Sequence, residues 1–227
     1  MRPIVLMGHG SPDARSAAAL RQLARAVSRR LPTTLVEVAF LDHDEPSLTA
    51  VATDLASAGH TSAVVVPAFL TTAFHVRSDV PRAVAAAEST SGMSLSVSAP
   101  IGPDERLIEA MDAHLPAGAP LVLAVAGTRD PQALADLDAL AASWSRSRGT
   151  EVVVAHAAMS EPDVPTGIAR VRTAGEPAVA AYVLFPGVLP DRIADAAQGL
   201  VCSPPVGLDA AVVDIVIDRA LEISVAR

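Results

Sequence analysis

The segment PIVLMGHGSPD, residues 3–13, passes abruptly from an apolar run into a glycine-containing polar loop. An apolar run of about five residues suits a buried strand. Asp13 then opens a stretch whose apolar residues recur three or four positions apart, which is typical of a helix. The same order recurs along the chain, and a β-α-β-α order predicts a mainly parallel sheet with helices on both faces.

Apolar runs and helical stretches alternate through the first half of the chain. The predicted strands are residues 3–7, 35–41, 62–70 and 94–101, and the predicted helices are residues 13–30, 46–58, 79–89 and 104–114. The second helix is expected to begin at Pro46, because proline favours the first helical position, and to end before Gly59. In the second half, strands are predicted at residues 121–126, 150–155 and 178–185, and a closing helix at residues 208–223.

A Pro/Gly-rich segment at residues 114–120 is the predicted linker between two domains, residues 1–116 and residues 121–227. Three motifs of the first domain recur in the second in the same order, which indicates an internal repeat. VLMGHGSPD at 5–13 matches VLAVAGTRD at 122–130, EP at 45–46 matches EP at 161–162, and APIGPD at 99–104 matches PPVGLD at 204–209.

The composition excludes several classes of protein. Of the 227 residues 51% are hydrophobic and only 3% aromatic, so we expect a core of small and β-branched side chains, as in parallel sheets covered by alanine-rich helices. The formal net charge of −8 comes with no basic stripe of the kind that binds nucleic acid. No stretch reaches the roughly 18–20 apolar residues of a membrane span. The first apolar run is too short for a signal peptide, and the lone Cys202 predicts a reducing, cytoplasmic location.

Side chains that bind metals follow three of the predicted strands. Ligands of open parallel sheets bind beyond the carboxyl ends of the strands, and His9, Asp42 and His75 follow the first, second and third strands. Imidazole and carboxylate together suit a borderline divalent metal such as Fe²⁺, Co²⁺ or Ni²⁺. The sequence therefore predicts a metal site at this edge of the first sheet.

The repeat provides an internal comparison for these candidates. All three align with aliphatic residues of the second copy: His9 with Ala126, Asp42 with Ala158 and His75 with Leu189. A purely structural role would be expected to persist in at least one copy. The predicted site is therefore single and asymmetric, with one domain that carries the chemistry and one that does not.

Simpler roles remain open for some of these residues. Asp42 and Glu45 can each serve the start of the helix that follows them, where acidic side chains are favoured. The remaining histidines have no supporting pattern and are interpreted as surface or loop residues: His43, His60, His114 and His156.

Several motifs, taken as an ordered set, resemble the sirohydrochlorin chelatase family of the CbiX/SirB type. They are GHGS at 8–11, FLD at 40–42 with EPS at 45–47, VVPAFL at 65–70 leading to His75, and DVP at 79–81. The second half is similar to the longer, two-domain members through YVLFPGVL at 182–189. The resemblance implies a class II chelatase fold with two flavodoxin-like lobes: a catalytic lobe, residues 1–116, and a degenerate repeat, residues 121–227.

The resemblance also implies roles for particular residues. His9 and His75 fall on the family's metal-binding and proton-accepting histidines, and Asp42 stands where longer members commonly have glutamate. The tetrapyrrole substrate would lie along Glu45 and along the segment after the third strand: Leu70, Thr71, Thr72, Ala73 and Phe74. Phe74 replaces the usual small residue before the second histidine.

The implied activity is that of a lyase that inserts a divalent metal into sirohydrochlorin without ATP. Fe²⁺, for sirohaem, is the preferred reading, and Co²⁺, for cobalamin, is the alternative. A non-catalytic metal carrier is a further alternative, although the chain has no His-rich tract that would raise metal capacity. No cofactor is expected beyond the metal substrate. The expected partners are the tetrapyrrole and the metal, without nucleic acid or membrane, and the expected state is a monomer or small homo-oligomer.

Overall fold

The computed structural model describes residues 2–72 and 75–225. The chain forms two compact units, residues 1–102 together with 210–227, and residues 103–209. Each unit is built on its own parallel sheet. Among the described residues, no helix has the length and apolarity needed to cross a membrane.

The first unit alternates strands and helices along the chain. Its strands are β1 (Ile4–Gly8), β2 (Val36–Phe40), β3 (Ser62–Pro67) and β4 (Ser94–Val97), and its helices are α1 (Ala14–Arg30), α2 (Leu48–Ser57) and α3 (Val80–Ser91). The strands pair in parallel in the order β2-β1-β3-β4, so β1 lies between β2 and β3. The predicted strands and helices of residues 3–101 are thus confirmed, with shorter strands than the apolar runs indicated.

The start of α2 differs from the prediction. Pro46 is not the first helical residue, because its carbonyl oxygen accepts a hydrogen bond from the Phe40 amide (3.0 Å) and so belongs to the preceding turn. Ser47 is the N-cap instead, and its hydroxyl accepts from the Ala50 amide at 3.3 Å. The predicted stop is confirmed, since the helix ends at Ser57, just before Gly59.

The second unit repeats the pattern in a reduced form. Its helices are α4 (Glu105–Asp112), α5 (Pro131–Arg148), α6 (Val164–Val171) and α7 (Val188–Ala196), and its strands are β5 (Leu121–Val125), β6 (Val152–His156) and β7 (Ala178–Tyr182). The strand order β6-β5-β7 matches β2-β1-β3 of the first unit. Cys202 makes an isolated parallel bridge with Val179, at the place that β4 occupies in the first sheet.

The compact units differ from the predicted domains, residues 1–116 and 121–227, in the placement of two helices. Helix α4 belongs by sequence to the first repeat, yet it lies in the second unit and contacts β7. The last helix, α8 (Ala210–Val225), belongs by sequence to the second repeat, yet it lies in the first unit and contacts α1 and β3.

Both α4 and α8 dock through buried aliphatic residues, such as Leu107 and Met111 of α4 and Val212 and Val216 of α8, and polar contacts accompany this packing. Asp112, at the end of α4, accepts a hydrogen bond from the Trp144 indole (3.2 Å) and forms an ion pair with Arg148, both on α5. On α8, Asp214 forms an ion pair with Arg30 of α1 at 2.9 Å. These long-range contacts join residues that no local sequence pattern connects.

The core of the first unit is aliphatic and finely packed. Strand β1 is buried along its whole length, and small residues such as Ala39, Ala63 and Ala87 lie in the core cluster. Helix α1 lies so close to β1 that a Cβ on Gly8 would come within 2.8 Å of the Leu20 side chain. Small side chains thus permit close helix–sheet contact, as the composition predicted.

The two units share an unusual loop contact at the carboxyl ends of their strands. Gly10 has a φ of +90°, and a Cβ there would meet the Asp42 carbonyl oxygen at 1.7 Å. In the second unit Gly127 has a φ of +119°, and a Cβ would meet the Ala158 carbonyl oxygen at 1.9 Å. The alignment of Asp42 with Ala158 is therefore confirmed by three-dimensional position.

This contact predicts a large effect of Gly127→Ala on stability. The variant combines a left-handed backbone with a backbone collision and should lower the free energy of unfolding by about 3 kcal/mol or more. The matched control is Gly118→Ala, where φ is +75° and a Cβ meets nothing within 4 Å, so about 1–2 kcal/mol is expected. Urea unfolding measures both values. Equal losses in the two variants would show that the collision is relieved by a small shift of the loop.

Candidate metal site

The sheet brings the three predicted segments to one edge. His9 follows the central strand β1, Asp42 follows β2, and residues 68–72 follow β3. The Asp42 amide donates to the His9 carbonyl oxygen at 2.8 Å, and the Ala68 amide donates to the Met7 carbonyl oxygen at 2.8 Å. The three strand ends are therefore adjacent in the sheet, in the order β2-β1-β3.

His75 begins a π-helical turn, His75–Asp79, that leads into α3. Its backbone is described, but its side chain lies outside the described part of the structure. Its role therefore stays a prediction from sequence.

His9 is partly buried just beyond β1. Its Nδ1 lies 3.2 Å from the Gly10 carbonyl oxygen. A carbonyl oxygen can only accept a hydrogen bond, so this contact favours the tautomer with the proton on Nδ1. In that tautomer the lone pair of the ring lies on Nε2, the nitrogen that can bind a metal.

The carboxylate of Asp42 is engaged with its neighbour His43. Its Oδ1 accepts from the His43 amide at 2.8 Å, and its Oδ2 lies 3.5 Å from His43 Nε2. The side chain is 68% exposed. The exposed carboxylate can thus reach a metal directly and can also orient the His43 ring.

His43 was interpreted as a surface or loop residue, and it does lie in an exposed loop. However, its ring centroid is 6.2 Å from that of His9, with the ring planes tilted by 34°. Sequence reasoning missed this proximity because the two residues follow different strands. The internal repeat offered one signal that could have identified His43. Its counterpart in the second unit is Met159, so this histidine, like His9, is lost from the second copy.

The residues predicted along the tetrapyrrole lie near the same edge but differ in their environment. Glu45 is exposed, and its Oε2 accepts from the Ser47 amide at 2.9 Å, as expected of an acidic residue at a helix start. Leu70, Thr71 and Thr72 are partly buried beyond β3. Ala73 and Phe74 lie outside the described residues.

The loop between β2 and α2 makes this edge acidic. Besides Asp42 and Glu45 it carries Asp44, whose carboxylate accepts from the Ser11 amide at 2.9 Å and so ties this loop to the one after β1. The Arg21 guanidinium donates to the Glu45 carbonyl oxygen at 2.8 Å. Within the described ranges, which do not include the His75 side chain, no three His, Cys, Asp or Glu side chains form a group that could hold a metal ion.

The reading of His156 as a surface or loop residue was wrong. It is the last residue of β6, is only 3% exposed, and has an Nδ1 without a hydrogen-bond partner. Burial lowers the pKa of its imidazole, and the carboxylates of Asp138 and Glu161 oppose that shift. His156 also lines a cavity of about 460 Å³ beside the loop that corresponds to the Asp42 loop.

The buried His156 predicts a pH-dependent loss of stability. Its pKa is lowered in the folded state, so the unfolded chain takes up a proton as the pH falls through about 6.5 while the folded protein resists it. The free energy of unfolding should therefore fall more steeply for the wild type than for His156→Phe between about pH 8 and about pH 5.5. Urea unfolding at both pH values measures this difference.

Phenylalanine suits that position because Phe40 occupies the equivalent place in the first unit. The control variant is His114→Gln, which alters an exposed histidine and should keep the wild-type pH dependence. Parallel pH profiles for the wild type and His156→Phe would contradict the prediction.

Two repeated parallel-sheet units define a two-lobed α/β protein of the chelatase fold. The predicted fold is confirmed by a solved structure described as SirB from Bacillus subtilis with Fe³⁺, which has a TM-score of 0.85 at 23% identity and covers 99% of this chain and 96% of that one. A cobalt complex of the sirohydrochlorin chelatase SirB from Bacillus subtilis subspecies spizizenii has a TM-score of 0.83 at 24% identity, over 98% and 95% of the two chains.

The chain belongs to the CbiX family. The family model matches it twice, over residues 3–116 and 120–223, so each copy of the repeat is recognised separately. The two matches follow the sequence repeat and therefore the predicted domains.

Characterised relatives carry two names. The Sulfurisphaera tokodaii sirohydrochlorin cobaltochelatase is 36% identical over 75 residues, which is 33% of this chain and 60% of that protein. The Methanosarcina barkeri sirohydrochlorin cobaltochelatase is 26% identical over 114 residues, 47% of this chain and 88% of that protein. The Bacillus subtilis sirohydrochlorin ferrochelatase is 27% identical over 145 residues, 61% of this chain and 56% of that protein.

Proposed function

We propose that this protein is a lyase that inserts a divalent metal into sirohydrochlorin without ATP. The observation that carries the proposal is the arrangement at one sheet edge, where the segments of His9, Asp42 and His75 follow three adjacent parallel strands. Membership of the CbiX family and relatives named as sirohydrochlorin ferrochelatase and cobaltochelatase support it.

The reaction requires two tasks of the protein. A metal must reach one face of the macrocycle, and two pyrrole nitrogens must each lose a proton. Imidazole suits both tasks near neutral pH, because its ordinary pKa is about 6.5. In the proposal His9 and His75 hold the partly hydrated metal, and one of them accepts one pyrrole proton as ring nitrogens replace the protein ligands, while the second proton passes to water.

Open coordination positions on the metal are an advantage in this reaction. The metal has to leave the protein, so a closed and tightly coordinated site would oppose transfer. Asp42 is the third member of the proposed site, and its exposed carboxylate adds negative charge beside His9 without completing a rigid cage. Water occupies the remaining positions of the metal until the macrocycle replaces it.

The tetrapyrrole is proposed to lie along Glu45 and residues 70–74. Leu70 and the two threonines after it offer a partly apolar surface with hydroxyl groups. The macrocycle is a polycarboxylate, so the acidic loop after β2 repels its rim. We therefore place its carboxylates away from Glu45 and its metal-facing centre over His9.

Iron is the preferred metal in the proposal, and cobalt is the alternative. Imidazole ligands suit both Fe²⁺ and Co²⁺, and the relatives include enzymes named for each metal. The proposed enzyme uses no cofactor beyond its metal substrate. It acts in the cytoplasm, as the single cysteine predicts, as a monomer or small homo-oligomer.

His9→Ala and His75→Ala should each lower turnover by about a hundredfold or more, because each variant removes a metal ligand or proton acceptor. An anaerobic absorbance assay with sirohydrochlorin and either Fe²⁺ or Co²⁺ measures this. His114→Ala alters an exposed histidine in the other unit and should keep wild-type activity. Circular dichroism should show that all three variants remain folded.

Two outcomes would reject the proposal. Full activity in the His9→Ala/His75→Ala double variant would remove these residues from the mechanism. Stoichiometric metal uptake by the wild type without any change of the macrocycle spectrum would favour the metal carrier instead.

A further inference from the structure

The geometry points to His43 as an additional imidazole ligand, next to His9, for the incoming divalent metal. The inference rests on the proposed function and deepens it, since it names a residue that captures the metal before it is transferred. It starts from the contact between the two rings, whose centroids lie 6.2 Å apart.

Hydrogen bonds between two loops fix this proximity. The Leu41 amide donates to the Gly8 carbonyl oxygen at 3.0 Å, and the Asp42 amide donates to the His9 carbonyl oxygen at 2.8 Å. These bonds continue the pairing of β1 and β2 beyond the strands. The two histidines are thus held on neighbouring backbone segments and do not meet by rotation of long, flexible side chains.

The separation of the rings suits a shared metal. A metal bound by imidazole lies about 2.0–2.1 Å from the nitrogen, so two rings that share one metal have centroids about 4.5–5.5 Å apart at angles of about 90–110° at the metal. The observed 6.2 Å is longer by about 1 Å, so the shared site requires the His43 side chain, which is 44% exposed, to turn toward His9. Borderline divalent ions such as Co²⁺ and Ni²⁺ fit this pair of ligands.

An oxygen atom lies against one nitrogen of each ring. His9 Nδ1 faces the Gly10 carbonyl oxygen, which places the ring lone pair on Nε2. His43 Nε2 faces Asp42 Oδ2 at 3.5 Å, and in the neutral ring with its proton on Nε2 the lone pair that can bind a metal lies on Nδ1. A carboxylate behind a metal-binding histidine is a common arrangement that orients the ring and raises its basicity. Asp42 thus contributes to the site by positioning His43.

The second unit shows that the loop itself does not need histidine. His43 has a φ of +59°, and its counterpart Met159 has a φ of +68°. The loop keeps this left-handed residue in both copies, whereas both imidazoles are lost from the second, where Ala126 and Met159 replace them. A role in loop structure alone therefore does not account for the histidine.

The test is a calorimetric titration with Co²⁺ alone, without the macrocycle. The test variant is His43→Asn, because asparagine tolerates the left-handed backbone, and the matched control is His114→Asn. His43→Asn should raise the Kd for Co²⁺ by about tenfold or more, and Asp42→Asn should raise it less. His114→Asn should leave the Kd unchanged.

A double variant separates ligation from a structural effect. If the two histidines share one ion, His43→Asn should change the Kd much less in a His9→Ala background than in the wild type. In the turnover assay, His43→Asn should raise the KM for Co²⁺ by about tenfold and change kcat by less than about threefold. If His43→Asn lowers the free energy of unfolding, His43→Gly replaces it as the test variant.

The inference is overturned if His43→Asn binds Co²⁺ with the wild-type Kd, if its effect is undiminished in the His9→Ala background, or if the wild type binds no Co²⁺. The inference stands if this protein binds Co²⁺ at the shared site but does not turn over sirohydrochlorin. In that case only the proposed function fails. If the wild type turns over sirohydrochlorin but His43→Asn has an unchanged Kd for Co²⁺, the proposed function stands and this metal site is rejected.

Discussion

The contact between Gly10 and the Asp42 carbonyl oxygen is the constraint on which the site depends. A side chain at residue 10 would collide with that oxygen, so the loops after β1 and β2 meet backbone to backbone. The Asp42 amide can then reach the His9 carbonyl oxygen. Parallel pairing of β1 with β2 alone would leave these loops to diverge, because strand pairing ends at Gly8 and Phe40. The glycine extends the order of the sheet into the loops that carry the candidate site.

The second unit separates what the fold requires from what the chemistry requires. It keeps the close loop contact at Gly127 and Ala158, but it has no imidazole at the two equivalent ring positions. The two units also differ in a pair of side chains just beneath the loop. In the first unit the Arg21 guanidinium lies 5.2 Å from the Phe40 ring centroid, whereas the repeat places Asp138 and His156 at these positions. The substitution replaces a cation over an aromatic face by a carboxylate near an imidazole, so the two units use different electrostatics to support the same turn.

Periodicity and the internal repeat were sufficient to predict the strands, most of the first-half helices and the positions of His9 and Asp42 at adjacent strand ends. These features depend on local apolar pattern and on the rule that parallel strands present their carboxyl ends together. The placement of α4 and α8 could not be predicted in this way, because it depends on packing against elements that are distant in sequence, as when α8 packs Val212 and Val216 into the core of the first unit. His156 was misjudged for a related reason. A single histidine after an apolar run carries no signal of whether the strand has ended.

Electrostatics explain why one edge of a small sheet can favour a metal and still release it. The acidic loop at Asp42, Asp44 and Glu45 lowers the free energy of a nearby cation, and the protein as a whole carries a formal net charge of −8. These carboxylates are committed to amide groups or to His43, so they attract the ion over distance without enclosing it. The same charge opposes the approach of a polycarboxylate macrocycle. In the proposed function, a bound metal would cancel part of that charge, so the binding of the metal and the binding of the anionic substrate would favour each other.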